Sequence, residues 1–358
     1  MGYLGYILRR MFERTDVRCY SPKLPRLLPL PFLHSSFFLL HSPAGWGEGL
    51  LGVVYPAVLA VGDSSRREFL RATSVVAAAA ASGLLSEPAE AVEQRNSAGT
   101  AGPLIDTNVT LSRWPGRRLP LDETPALVTR LRSQGVRQAW AGSFDGLLHK
   151  DIRSVNSRLT EDCRKHGHGI LVPFGSVNPR LPDWEEDLRR CHEVHKLPGI
   201  RLHPNYQGYK LDDPAFARLL DLAGERGLIV QLVVTMEDER TQHPLMRVPH
   251  VDVAPLITLL ASRSHLRIML LNWSRGVSIA LAAKLSAAGQ VYFDIATVEG
   301  VGGVANLLKQ LPVERVTFGS YAPFFYLESS LLKLKESVLS DAQAKAIRAE
   351  NARRLLPP

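Results

Sequence analysis

The chain has 358 residues, 45% of them hydrophobic, a net charge of +8 and three cysteines. That is apolar material for one large core or two modest ones. The charges are scattered and show no helix-turn-helix, zinc-finger or RNA-sheet spacing, which argues against nucleic acid as a partner. The apolar run from Leu27 to Leu40 is broken by Pro29, Pro31 and His34, short of the roughly 20 residues a bilayer span needs, so no stable membrane span is expected.

In chain order, residues 1–60 mix apolar patches with prolines and lack a helical period; they read as upstream sequence, with Val61 as the natural start. The stretch Ser65-Arg66-Arg67-Glu68-Phe69-Leu70 resembles a twin-arginine export signal. An alanine-rich segment follows from Ala72 to Leu85, and Ala89-Glu90-Ala91 supplies a small-x-small cleavage site. Residues 61–91 are therefore expected to be a signal peptide, placing the mature protein in the periplasm or outside the cell. Residues 92–102 form a polar linker. Of the three cysteines, Cys163 and Cys191 remain after cleavage, without metal-type spacing; they read as two buried or half-buried thiols, and a disulfide between them is the alternative that export would allow.

From residue 103 onward, eight short runs dense in Ile, Val and Leu alternate with helical patterns. The runs are LIDTNV, VRQAWAGS, GILVPFGSV, GIRLHP, LIVQLVVT, LRIMLLN, VYFDIA and RVTFGS, each suited to a parallel strand buried on both faces. The clearest helices are TPALVTRLRSQG, DWEEDLRRCHEVHK, DPAFARLLDLAGERG and GVANLLKQLP. Asp183 and Asp213 are expected N-caps, and Gly135 and Gly227 are expected stops. Eight such units in succession, with no G-x-G-x-x-G after the first strand, predict an α/β fold: a closed (β/α)8 TIM barrel spanning 103–358.

Chemistry in such barrels sits at the C-terminal ends of the strands. Read at those ends, the chain resembles the amidohydrolase superfamily, on the branch of small decarboxylases and lactonases. The marks are LIDTN, GIRLHP, GLIVQLVVT, RIMLLNW, RVTFGSYAPF and a closing AIRAENARRLL. The resemblance implies a divalent metal held by two histidines after the first strand, one each after the fifth and sixth, and an aspartate after the eighth. In this chain those places hold Asn108 and Thr110, Val233, Asn272 and Tyr321. None is a good ligand, so neither a metal nor another cofactor is expected. A rebuilt site from His203, His243, Glu237 and Asp238 is the alternative.

The strand ends are nevertheless rich in polar groups, which are costly to bury without partners or a purpose. The resemblance includes lactonases that work without metal, and this implies a plan for a small anionic substrate. Arg113, Arg201 and Arg240 would clamp the anion, with Trp114 and Asn205 beside them. His203 or His243 would polarise a carbonyl, and Asp238, Glu237 or Asp294 would serve as general base. Asn108, Asn272 and Tyr321 would offer donors to an oxyanion. An activated ester or lactone is the expected substrate, since donors do not lower the pKa of water as a metal does. The rival reading is a barrel that binds a small acid without turnover. Two further expectations are that Asp106 bonds backbone amides, and that Asp294 either pairs with Arg275 or carries a raised pKa.

Overall fold

The computed structural model describes residues 102–356. The expected upstream segment, signal peptide and nearly all of the linker lie outside these residues. The described residues contain nine parallel ladder segments: β1 (Leu104–Leu111), β2 (Val136–Ser143), β3 (Leu171–Pro173), β4 (Gly175–Ser176), β5 (Gly199–Leu202), β6 (Ile229–Val233), β7 (Arg267–Leu271), β8 (Gln290–Asp294) and β9 (Val316–Thr317). β1, β2 and β3 pair in that order, and β4 to β9 pair in sequence. β3 and β4 are two halves of the expected third run. Phe174 between them donates its N–H to the Ala141 carbonyl (2.8 Å), so the run stays beside β2 as it turns toward β5.

Closure comes from the chain just past β9. Thr107 N–H donates to the Phe318 carbonyl (2.9 Å), Tyr321 N–H to the Asn108 carbonyl (2.8 Å) and Thr110 N–H to the Ala322 carbonyl (2.9 Å). The fold is the expected (β/α)8 barrel. Its helices include α1 (Thr124–Ser133), α2 (Ile152–His166), α3 (Trp184–Glu193), α4 (Pro214–Glu225), α5 (Pro255–Ala261), α6 (Ile279–Ala288), α7 (Gly303–Leu307) and α8 (Leu327–Glu336).

The strands alternate with period two between two cores. Val230, Leu232, Ile268 and Leu270 face the helices, with Leu219, Leu220 and Leu256. Ile229, Val233, Met269 and Leu271 belong to the inner core with Trp140 and Phe174. Gly135 (φ 80°) and Gly227 (φ 62°) follow α1 and α4 in the left-handed conformation, as expected of helix stops. Asp183 and Asp213 occupy N-cap positions but make no side-chain cap bond; the Asp213 carboxylate instead accepts from Lys210 N–H (3.0 Å). Cys163 and Cys191 are buried and unpaired, and burial pushes both thiols up to about 12.

Candidate functional site

Three strand ends meet where the resemblance would place a metal. The Asn108 amide, on β1, donates to Asn272 Oδ1 (2.8 Å) and to Asp294 Oδ2 (2.6 Å). Asn272 N–H, at the end of β7, donates to Asp294 Oδ1 (3.1 Å). All three side chains are buried. Burial raises the Asp294 carboxyl to about 7, against the lowering effect of its bond from Asn108. Arg275 pairs with Asp238 and Glu299 rather than with Asp294, so Asp294 follows the raised-pKa branch of the expectation. The backbone turns through the left-handed region at Asn272 (φ 53°) and Tyr321 (φ 61°), a sparsely populated conformation for non-glycine residues that concentrates at functional sites.

Asp106 sits beside this network and does bond backbone amides. It accepts from Asn108 N–H (3.1 Å), Ser320 N–H (2.9 Å) and the Ser320 hydroxyl (2.5 Å), tying β1 to the turn after β9. Burial raises its carboxyl to about 6. Gly319 is pinned between Asp294 and Asn108: a Cβ there would lie 2.8 Å from the Asp294 Cβ and 3.1 Å from the Asn108 Cβ.

Arg201 faces the barrel interior, on the same side of β5 as His203, but its donors are spent on the barrel itself. Nε donates to Gln231 Oε1 (2.8 Å), Nη1 to the Val109 carbonyl (2.7 Å) and Thr110 Oγ1 (3.1 Å), and Nη2 to the Trp140 carbonyl (3.0 Å). It is a brace joining β1, β2, β5 and β6, not an arm of a clamp. Gln231 was absent from the sequence-level site. Its signal was present: a polar residue inside LIVQLVVT, in register with Arg201 on the neighbouring strand.

His203 is buried, and its Nδ1 has no hydrogen-bond partner. Burial and then the nearby Arg201 charge lower its imidazole to about 3, so it is neutral across the ordinary pH range. It lines a cavity of about 10 Å³ with Asn205, Tyr206, Val233, Thr235 and Met236. That is room for one water, and no carboxylate lines it. Above lies an aromatic plug: Trp114 meets Phe144, Tyr206 and Phe324 edge-on at 5.2–6.0 Å. Tyr321 stacks on Phe324 at 4.9 Å and donates its hydroxyl to the Met236 carbonyl (2.8 Å). Trp114 Nε1 and Asn272 Nδ2 are further buried donors without partners.

The remaining expected site residues are dispersed. Arg113 pairs with Glu123 at the surface, and Arg240 with Asp238. Asp238 also takes Arg275, and the bond from Arg240 holds its carboxyl below the usual range. Glu237 is paired with Arg117. His243 is exposed and its Nδ1 accepts from Leu245 N–H (3.2 Å). The Asn205 amide donates to the Pro249 carbonyl. The three-arginine clamp and the convergence of His203 or His243 with Asp238 or Glu237 are therefore corrected: each charge already has its partner, and the groups do not face one cavity. Nor do the residues fit a metal. Among the described residues no cluster of three or more His, Cys, Asp or Glu side chains is placed to hold one. The side chains that meet in the network are one carboxylate, Asp294, and two amides, while the Asp106 oxygens are taken by Asn108 N–H and Ser320; such a donor set is too weak for zinc or manganese.

Comparison with known proteins bears on the family. No curated protein matches the chain. Solved structures do, at the level of fold. One is 2,6-dihydroxybenzoate decarboxylase from Rhizobium, at 13% identity and TM-score 0.56, covering 71% of this chain and 97% of that one. Another is the apo form of the Metarhizium anisopliae enzyme IDCase, at 16% identity and TM-score 0.58, covering 71% and 97%. A third is a dihydroxybenzoic acid decarboxylase from a Polaromonas species with bound manganese and the inhibitor 2-nitroresorcinol, at 12% identity and TM-score 0.53, covering 71% and 96%. The model of the amidohydrolase family matches residues 105–357, nearly the whole barrel, and the chain belongs to the amidohydrolase family.

Proposed function

We propose that this protein is a metal-independent member of its family that binds a small anionic molecule at the strand-end mouth, and that binding rather than hydrolysis is its activity. The observation that carries the reading is the Asn108–Asn272–Asp294 network. Side chains at the ends of β1, β7 and β8 bond to one another where the resemblance implies a metal, which supports a reading without the manganese that one structural neighbour binds. Binding is favoured over turnover because His203 lines its cavity without a carboxylate, leaving no base within reach of a water that His203 could also contact. The unpartnered buried polar atoms Trp114 Nε1 and His203 Nδ1 are groups that a ligand would satisfy.

The second reading is metal-independent cleavage of an activated ester or lactone. Asp294 favours it, because a carboxyl raised to about 7 is suited to proton transfer near neutral pH. Export through the arginine pair at 66–67 belongs to the same proposal.

One set of measurements separates these. The full chain, purified without chelator, is assayed for metal content. It is then titrated with a panel of small carboxylates by calorimetry in EDTA, and with aryl esters and lactones for turnover. Binding at micromolar to millimolar affinity, lost about tenfold or more in His203→Phe, supports the first reading. Turnover in EDTA that is abolished in Asp294→Asn replaces it with the second. Near-stoichiometric zinc, manganese or iron refutes both.

A further inference from the structure

The segment between β1 and α1, residues 113–120, covers the mouth, and its construction is that of a gate. It is bounded by two non-glycine residues in the left-handed region, Ser112 (φ 66°) and Leu121 (φ 61°). Each costs energy that the rest of the structure must offset. Between them, Trp114 enters the aromatic plug and is only 7% exposed, yet its indole Nε1 has no partner. Gly116 lies against that indole: a Cβ there would sit 2.9 Å from Nε1.

The ion pairs of the segment divide into two kinds. Arg113–Glu123 and Arg118–Asp122 tie it to its own C-terminal base. Arg117 reaches across the mouth to Glu237, in the loop after β6, and lays its guanidinium over the Phe324 ring at 5.1 Å. Tyr206, which Trp114 meets edge-on, and Met236, whose carbonyl Tyr321 bonds, line the His203 cavity. We propose that residues 113–120 are a gate hinged at Ser112 and Leu121, latched shut by Arg117–Glu237 with Trp114 as its plug. Opening it uncovers His203 and the aromatic faces of Phe144, Tyr206 and Phe324. The proposal rests on the mouth being the binding site, but its test does not require the ligand.

The test uses the full chain labelled with 5-fluorotryptophan. The Trp114 fluorine resonance is assigned from Trp114→Phe, and paramagnetic relaxation by the soluble nitroxide TEMPOL is the probe of access. In the parent protein, Trp114 should be as shielded from the nitroxide as the buried Trp140 and Trp273. In Arg117→Met and in Glu237→Gln its access should rise about fivefold, the factor carried by loss of roughly 1 kcal/mol from one partly exposed ion pair. Gly116→Ala should act in the same direction by displacing the indole. Trp140 and Trp273 should stay unchanged throughout. An unaltered Trp114 signal in both latch variants overturns the gate. So does movement of all the tryptophan resonances together, since that would be loosening of the whole barrel. If the gate opens in the variants but no carboxylate binds to them, the gate stands and the binding reading falls.

Discussion

Asp294 and His203 carry opposite pH signatures, and the sign of each follows from its environment. An Asp carboxyl ionises near 3.8 when free but near 7 in this barrel. Between those values the unfolded chain releases a proton that the folded state keeps, so stability falls as pH rises from about 4 to about 7. His203 runs the other way. Its folded value of about 3 lies below the ordinary 6.5, so stability falls as pH drops from about 6.5 toward 3. Asp294→Asn should remove the first slope and leave the second. Urea midpoints at pH 4, 5.5, 7 and 8 should show the variant gaining on the parent as pH rises, on the order of 4 kcal/mol before any loss from the altered bond to Asn108. A difference that stays constant across this range would contradict the raised value. Arg201 makes a different prediction, because its donors satisfy backbone carbonyls. Arg201→Met removes four charge-assisted bonds inside the barrel, to the Gln231 and Thr110 side chains and to the Val109 and Trp140 carbonyls, and should cost about 3–5 kcal/mol by chemical denaturation. A clamp residue would instead lose ligand affinity with little change in stability.

The turn after β9 is the element on which the candidate site depends. Phe318 to Ala322 closes the barrel against β1 and presents Ser320 to Asp106 while Gly319 packs on Asp294 and Asn108. Gly319→Ala forces one of those neighbours to move, with three contacts of 2.8–3.1 Å to Asp294 and Asn108. It should destabilise by about 1–3 kcal/mol and reduce ligand affinity in the same variant. Unchanged stability and affinity would show that the turn has slack. The Phe-Gly-Ser sequence marks this turn at the level of residues. The packing partners of its glycine, 25 and 211 positions away, do not follow from spacing.

For the whole molecule, the expectation concerns what holds the barrel shut. A closure built from carbonyl bonds to Arg201 and from the β1–β9 turn should be indifferent to chelation. The melting temperature in 5 mM EDTA should match that in buffer, and a fall of several degrees would point to a stabilising metal. The export proposal is likewise tested on the whole chain. Arg66→Lys with Arg67→Lys should retain the protein in the cytoplasm, and equal fractionation of parent and variant would refute it.

Much of this was determined by the amino-acid sequence alone. Runs of β-branched and leucine residues between amphipathic segments admit few arrangements other than a closed parallel barrel, because strands apolar on both faces need a layer on each side. Two residues that the resemblance singles out, Asn108 and Asn272, lie 164 positions apart in sequence and meet within 2.8 Å. What only the tertiary structure decided is how each charge is spent. Arg113, Arg201 and Arg240 look alike in sequence, yet one pairs at the surface, one braces carbonyls inside the barrel and one holds Asp238. A long, flexible cationic side chain takes whichever acceptors lie within its reach once the backbone is placed, and in a closed barrel most of those come from distant strands. The same holds for the mouth, where aromatic residues from four separate loops meet over one opening only after the barrel has closed.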